Sequence, residues 1–270
     1  KTAYEIMPSL VGSEMCIRDS YRTGPNNIAL IGNYLPRQCG IATFTTDLLR
    51  ALADEKPEAD CWAMVMNDVP EGYDYPPEVR FELNYKNVSD YRLAADFLNM
   101  NQIDVVCLQH EFGIFGGEQG SYILDLIGNL RMPVVTTLHT ILKEPSPAQK
   151  TIMRRICSIS DRVVVLSRRA IDLLHEVYGT PKEKIAFIPH GIPDVPFVDP
   201  NYYKDQFGVE GKRVILTFGL LSPDKGIEYM IEAMPKIVER FPDTVYIVLG
   251  ATHPNIRREQ GESYLSLIHI

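Results

Sequence analysis

The chain has 270 residues, with 27 basic and 35 acidic side chains and a formal net charge of −8. Its 45% hydrophobic and 23% charged content excludes a disordered chain. The acidic balance makes it a poor general binder of nucleic acid, and no apolar run approaches the length of a membrane span.

The five cysteines, Cys16, Cys39, Cys61, Cys107 and Cys157, show no CxxC spacing and read as free thiols of a reducing, cytoplasmic compartment. Residues 1–20 carry neither strand alternation nor a helical stripe, and they lack the pattern of a secretory signal. Within them VGSEMCIRDS resembles translated adapter sequence, as does the tail SYLSLIHI. Both flanks, 1–20 and 263–270, are therefore expected to be non-native, with the natural sequence continuing beyond Glu262.

Between the flanks the elements alternate. Strands are expected at Ile28–Asn33, Cys61–Met66, Val79–Leu83, Asp104–Gln109, Val134–Leu138, Arg162–Leu166 and Lys184–Ile188. Helical stripes fall at Ala42–Leu52, Asp90–Met100, Glu118–Leu130, Gln149–Ile159 and Arg168–Tyr178. Near-continuous apolar strands alternating with amphipathic helices predict an α/β domain with a doubly wound parallel sheet over 21–189. Ligands of that class bind at the carboxyl ends of the strands. Residues 190–211 read as a linker, with prolines 193, 196 and 200 following Pro189. Over 212–262 a second unit opens with strand Val214–Phe218, helix Gly226–Phe241 and strand Thr244–Leu249, a single βαβ crossover.

The loops hold the polar chemistry. In NYLPRQCGIATFT, Gly40 and Ile41 open a helix, whose N–H groups and dipole suit an anion; a plain turn there is as good a reading on the residues alone. The GxGxxG fingerprint is missing, which disfavours a nicotinamide cofactor, although Asp68 beyond the second strand keeps that reading open. In LQHEFGIFGGEQG, His110 and Glu111 end a strand, followed by Gly113, Gly116, Gly117 and Gly120. The pair suits either polar substrate contact or a structural role, and it lacks the second histidine of a zinc HExxH. His139 ends the next strand in TTLHT, so two histidines converge on one crevice. Of the others, His175 reads as a surface residue, His190 lies where the units join and His253 follows the last strand. In FGLLSPDKGIE, Lys225 and Gly226 open a helix; a charge beside helix N–H groups suits a diphosphate, while a solvated lysine is the plainer reading.

The order of LPRQCGIATFT, QHEFGIFGG, TTLHT, IPHGI and FGLLSPDKGIE resembles glycosyltransferase family 4 over Asn27 to Glu262. The resemblance implies the GT-B fold: an N-terminal Rossmann-like domain plus the first βαβ unit of a second. It implies retaining transfer of a sugar from a nucleotide-sugar donor, without a metal or other cofactor. Gly40 and Ile41 would face the donor phosphates, His110 and Glu111 would contact substrate, His139 would be the catalytic histidine near the transferred sugar, and Lys225 with Gly226 would hold the diphosphate. The acceptor would be a sugar or glycolipid, with room for peripheral membrane association. Leu220 stands where the family often has arginine, and the family's pair of ribose- and sugar-binding glutamates would lie beyond Glu262. Another GT-B enzyme, such as a nucleotide-sugar epimerase or a phosphorylase, and a non-catalytic sugar-binding module remain as alternatives.

Overall fold

A computed structural model describes residues 24–192 and 194–269; the flank expected over 1–20 lies outside them. Two compact units divide the chain, one ending at His190 and one beginning at Gly191. In the first unit the strands are β1 (Asn27–Gly32), β2 (Asp60–Asn67), β3 (Val79–Asn84), β4 (Val105–His110), β5 (Val134–Leu138), β6 (Arg162–Val165) and β7 (Ile185–Phe187). Its helices are α1 (Gly40–Glu55), α2 (Val88–Met100), α3 (Ile123–Ile127), α4 (Pro147–Ile159) and α5 (Arg168–Tyr178). All the strand pairs are parallel, in the order β3-β2-β1-β4-β5-β6-β7. The chain winds outward from β1 to β3, then crosses to the other side of β1 and continues from β4 to β7. Between β1 and β4 the winding reverses, and a crevice opens there beyond the carboxyl ends of the strands.

The strands are apolar along both faces because both faces are covered. On β1, Ala29 and Ile31 join a cluster with Met64, Leu108, Leu98 and Leu126, while Ile28 and Leu30 join a second with Ala63, Val65 and Leu49 of α1. Ala29, Leu30 and Ile31 have no exposed surface. Polar groups fix the ends of the elements. Asp104 Oδ2 accepts from the backbone N–H groups of Asn26 (2.8 Å) and Asn27 (3.0 Å), tying the starts of β1 and β4 together. Ser146 and Gln149 form a reciprocal capping box on α4.

The expected helix over Glu118–Leu130 is corrected. A single 3₁₀ turn spans Glu118–Gly120 and the α-helix is only Ile123–Ile127. Gln119 and Gly120 both have positive φ (51° and 78°), which breaks a continuous helix. The preceding glycines are packing devices: a Cβ on Gly116 would stand 1.8 Å from the carbonyl oxygen of Tyr85. The aperiodic linker is also corrected, because α6 (Pro200–Gln206) lies inside it. Asp199 caps it through a 2.9 Å bond from the Asn201 N–H, and Pro200 takes its first turn.

The second unit contains β8 (Arg213–Leu221), α7 (Ile227–Arg240), β9 (Thr244–Thr252), α8 (Pro254–Gln260) and α9 (Ser263–His269). Strands β8 and β9 pair in parallel from Arg213 with Thr244 to Leu221 with Thr252. Helix α9 falls within the tail set apart on sequence grounds, yet it packs: Tyr264 is buried beside Leu221 and Ile227, and its hydroxyl donates to Glu228 Oε2 at 2.7 Å. No helix among the described residues is long and apolar enough to cross a membrane.

Candidate functional site

The loop from β1 to α1 forms one wall of the crevice in the first unit. The thiol of Cys39 caps α1, accepting from the Ala42 N–H at 3.2 Å and from Asn33 Nδ2 at 3.4 Å. Gly40 follows on the exposed side, and a Cβ there would meet nothing within 4 Å, so its N–H end of the helix is open to approach. Ile41 is half-buried and packs against the main core cluster. At the base of the loop Arg37 grips Asp68 with both forks: Nε to Oδ1 and Nη2 to Oδ2, each 3.1 Å. Tyr73 donates to the same carboxylate at 2.9 Å. Asp68, the residue that kept a dinucleotide reading open, is thus engaged within the protein.

The ends of β4 and β5 form the floor. Successive residues of β4 point to opposite faces. His110 has no exposed surface and sits among aromatic rings, edge-on to Phe112 at 5.0 Å and stacked on Phe115 at 5.9 Å. Neither ring nitrogen has a hydrogen-bond partner, and burial, aided by the nearby His139, pushes its pKa down from the ordinary 6.5 to about 3. Glu111 turns to the loops: one oxygen accepts from the Phe112 N–H at 3.0 Å, the other from the Thr140 hydroxyl.

His139 lies beyond β5, its N–H bonded to the His110 carbonyl at 3.0 Å. Its Nε2 is 3.1 Å from Gln109 Oε1, and Phe44 of α1 meets its ring edge-on at 4.7 Å. Phe44 also meets His190 at 5.5 Å. Burial, followed by the neighbouring His190, lowers the His139 pKa to about 4, so the ring is neutral at pH 7. Beside it opens a cavity of about 320 Å³ lined by Leu138, His139, Ile141, Leu166, Arg169 and His190, among others. The first turn of α1, Gln109, His139 and His190 therefore meet around Phe44. Sequence reasoning picks out Gly40, His110, Glu111 and His139 here and misses Gln109, Phe44 and Arg37. The legible signal for Gln109 is a polar residue closing an apolar strand.

In the second unit Lys225 is exposed at the end of a 3₁₀ turn, Pro223–Lys225. Gly226 follows at φ 61° and opens α7 with no side-chain cap. The N–H groups at the start of that helix are free of a competing side-chain acceptor from Gly226, and a cation stands beside them. Of the remaining histidines, His175 is exposed on α5, with Nδ1 3.1 Å from the Thr180 carbonyl. His253 caps α8, its Nδ1 accepting from the Asn255 N–H at 3.2 Å.

Comparison with known proteins places these features. A GDP-mannose-dependent α-(1-6)-phosphatidylinositol monomannoside mannosyltransferase of Mycolicibacterium smegmatis is 27% identical over 127 residues, 46% of this chain and 33% of that protein. An uncharacterised glycosyltransferase of Methanocaldococcus jannaschii is 28% identical over 200 residues, 63% of this chain and 50% of that protein. The chain thus spans a third to a half of the length of these relatives. Among solved structures, Anabaena HepE in complex with UDP and glucose superposes with a TM-score of 0.59 at 15% identity, over 91% of this chain and 65% of that one. That likeness extends to the fold, which is of the GT-B type. The family model for Glycosyltransferase Family 4 matches residues 39–194, from the thiol that caps α1 to just past His190. That span is more than half of the sequence and includes both walls of the crevice, and the chain belongs to glycosyltransferase family 4.

Proposed function

We propose that this chain carries the catalytic crevice of a retaining glycosyltransferase that moves a sugar from a nucleotide-sugar donor to a sugar or glycolipid acceptor. The observation that carries the reading is the meeting of the open α1 N-terminus with a buried, neutral His139 at the strand-order reversal, inside the region matched by family 4. Supporting it, a relative uses GDP-mannose, and a protein of the same fold has UDP and glucose bound.

The difficult part of such a transfer is departure of a nucleoside diphosphate. Developing negative charge on it is stabilised by preorganised donors and cations. Lys225 and the start of α7 would supply these in the second unit, Gly40 and Ile41 in the first, with no metal assigned. His139 would contact the transferred sugar as a neutral ring, and Glu111, bonded to Thr140, would line the acceptor side. Attack from the face of the leaving group gives retention, and a phosphate oxygen takes the acceptor proton. This route requires no pair of carboxylates, unlike a glycosidase.

The test is incubation with UDP-, GDP- and ADP-linked sugars and a panel of sugar and glycolipid acceptors, with the anomeric configuration of product read by NMR. Transfer with retention from one of them is expected. Inversion, or conversion of the sugar without an acceptor, overturns the reading.

A further inference from the structure

We infer that Gln109 is a positioning residue that sets which nitrogen of His139 carries the proton and holds that ring in the crevice. The inference rests on the reading of His139 as the histidine at the transferred sugar, and it adds a residue to that site. Gln109 has no exposed surface and ends a strand whose preceding residues are apolar. Its stem lies against β1: a Cβ on Gly32 would stand 3.0 Å from Gln109 Cβ and 3.4 Å from Cγ. Gly32 therefore leaves the space in which the amide runs forward, and that amide ends 3.1 Å from His139 Nε2.

An amide oxygen only accepts. With Oε1 toward the ring, the proton is held on Nε2 and the lone pair is left on Nδ1. Phe44 fixes the plane of the ring from the side, and the His139 N–H bond to the His110 carbonyl fixes the backbone. The amide thus controls the remaining freedom, the proton's location. The other end of the amide argues against a packing role. Gln109 Nε2 is buried without a partner, a recognised cost that leucine or methionine at this position would avoid. The titratable and charged groups that face His139 are His110 from β4, Glu111 and its partner Thr140, Arg169 at the start of α5, and His190 after β7. Only Gln109 among them bonds the ring nitrogen directly in this structure.

The experiment is ¹⁵N NMR of the His139 ring in the whole chain, for wild type, Gln109→Met and Gln109→Glu, together with transfer kinetics against pH. Wild type should show the Nε2–H tautomer. In Gln109→Met the tautomers should mix, and kcat should fall roughly tenfold with little change in KM. In Gln109→Glu a carboxylate facing Nε2–H should raise the His139 titration midpoint by at least one pH unit, with the acidic limb of the transfer profile following. Should the buried glutamate prevent folding, the methionine variant decides alone. A His139 ring with the same tautomer and midpoint in every folded variant overturns the inference. The NMR changes occurring in a protein that transfers no sugar would uphold the positioning and overturn the glycosyltransferase reading instead.

Discussion

The two units are built from the same alternation of parallel strands and helices, yet their strands meet different surroundings. In the first, β1 has a neighbour on each side and helices over both faces, and Leu30 and Ile31 have no exposed surface. In the second, β8 and β9 have only each other among the described residues. Leu216 is 52% exposed, Phe218 77% and Leu249 48%, while Leu221 at the end of β8 is buried beneath Ile227 and Tyr264. An apolar run is enough to specify a parallel strand, whereas its burial depends on what flanks it. Both outer edges of this two-stranded sheet are unpaired backbone, a template for association with other chains.

The most severe test of that contrast is limited proteolysis. A fragment ending in the exposed segment between Pro189 and Gly211 should persist, and the second unit should be degraded first; mass spectrometry identifies the boundary. Uniform resistance of the whole chain would remove the distinction. At single positions, Leu30→Ala should cost about 2–5 kcal/mol of stability in denaturant unfolding, the range for emptying a filled core site. Phe218→Ser, on the exposed face of β8, should stay within about 0.5 kcal/mol and reduce self-association measured by light scattering.

The units also differ in how they would meet a ligand. Lys225→Ala should weaken nucleoside diphosphate binding by about 1.5–3 kcal/mol, the worth of a charge-assisted contact, as read by calorimetric titration. Unchanged affinity would make Lys225 an ordinary surface lysine. The first unit should respond instead to acid. His110 and His139 are held neutral by burial, with pKa values lowered to about 3 and about 4. Between these values and the unfolded value near 6.5, the unfolded chain binds more protons, so stability rises with pH and is lost as pH falls from 6.5 toward 4. Unfolding at pH 7 and pH 5 checks this. His110→Phe should flatten the slope, and the same slope in the variant would show that His110 does not contribute to it.

Much of this organisation is legible in the residues. The strand runs locate all nine strands, with ends shifted by a residue or a few, because apolar patterning reports burial rather than the last ladder hydrogen bond. Asp90–Met100 gains a turn at its start from the Asn87 cap, a short-range signal that periodicity does not register. The shortened helix after Gly120 is lost from view for another reason. Its apolar spacing is helical, but Gly116 packs on the Tyr85 carbonyl, a contact distant in sequence. The same holds at the crevice. His139 is visible as a histidine at a strand end, while Gln109 becomes a partner only when β4 and β5 pair, and Phe44 only when α1 folds over β1. Arg37 and Asp68 are 31 residues apart, and nothing in either loop announces the pair.

The account centres on His139 as the histidine at the transferred sugar. The most direct measurement is steady-state transfer by His139→Ala beside wild type, with the unfolding midpoint of each recorded. Transfer is predicted to fall at least about 100-fold, on the order of the contribution of a positioned catalytic side chain, while the variant stays folded. Transfer close to wild type in a folded His139→Ala protein would contradict it.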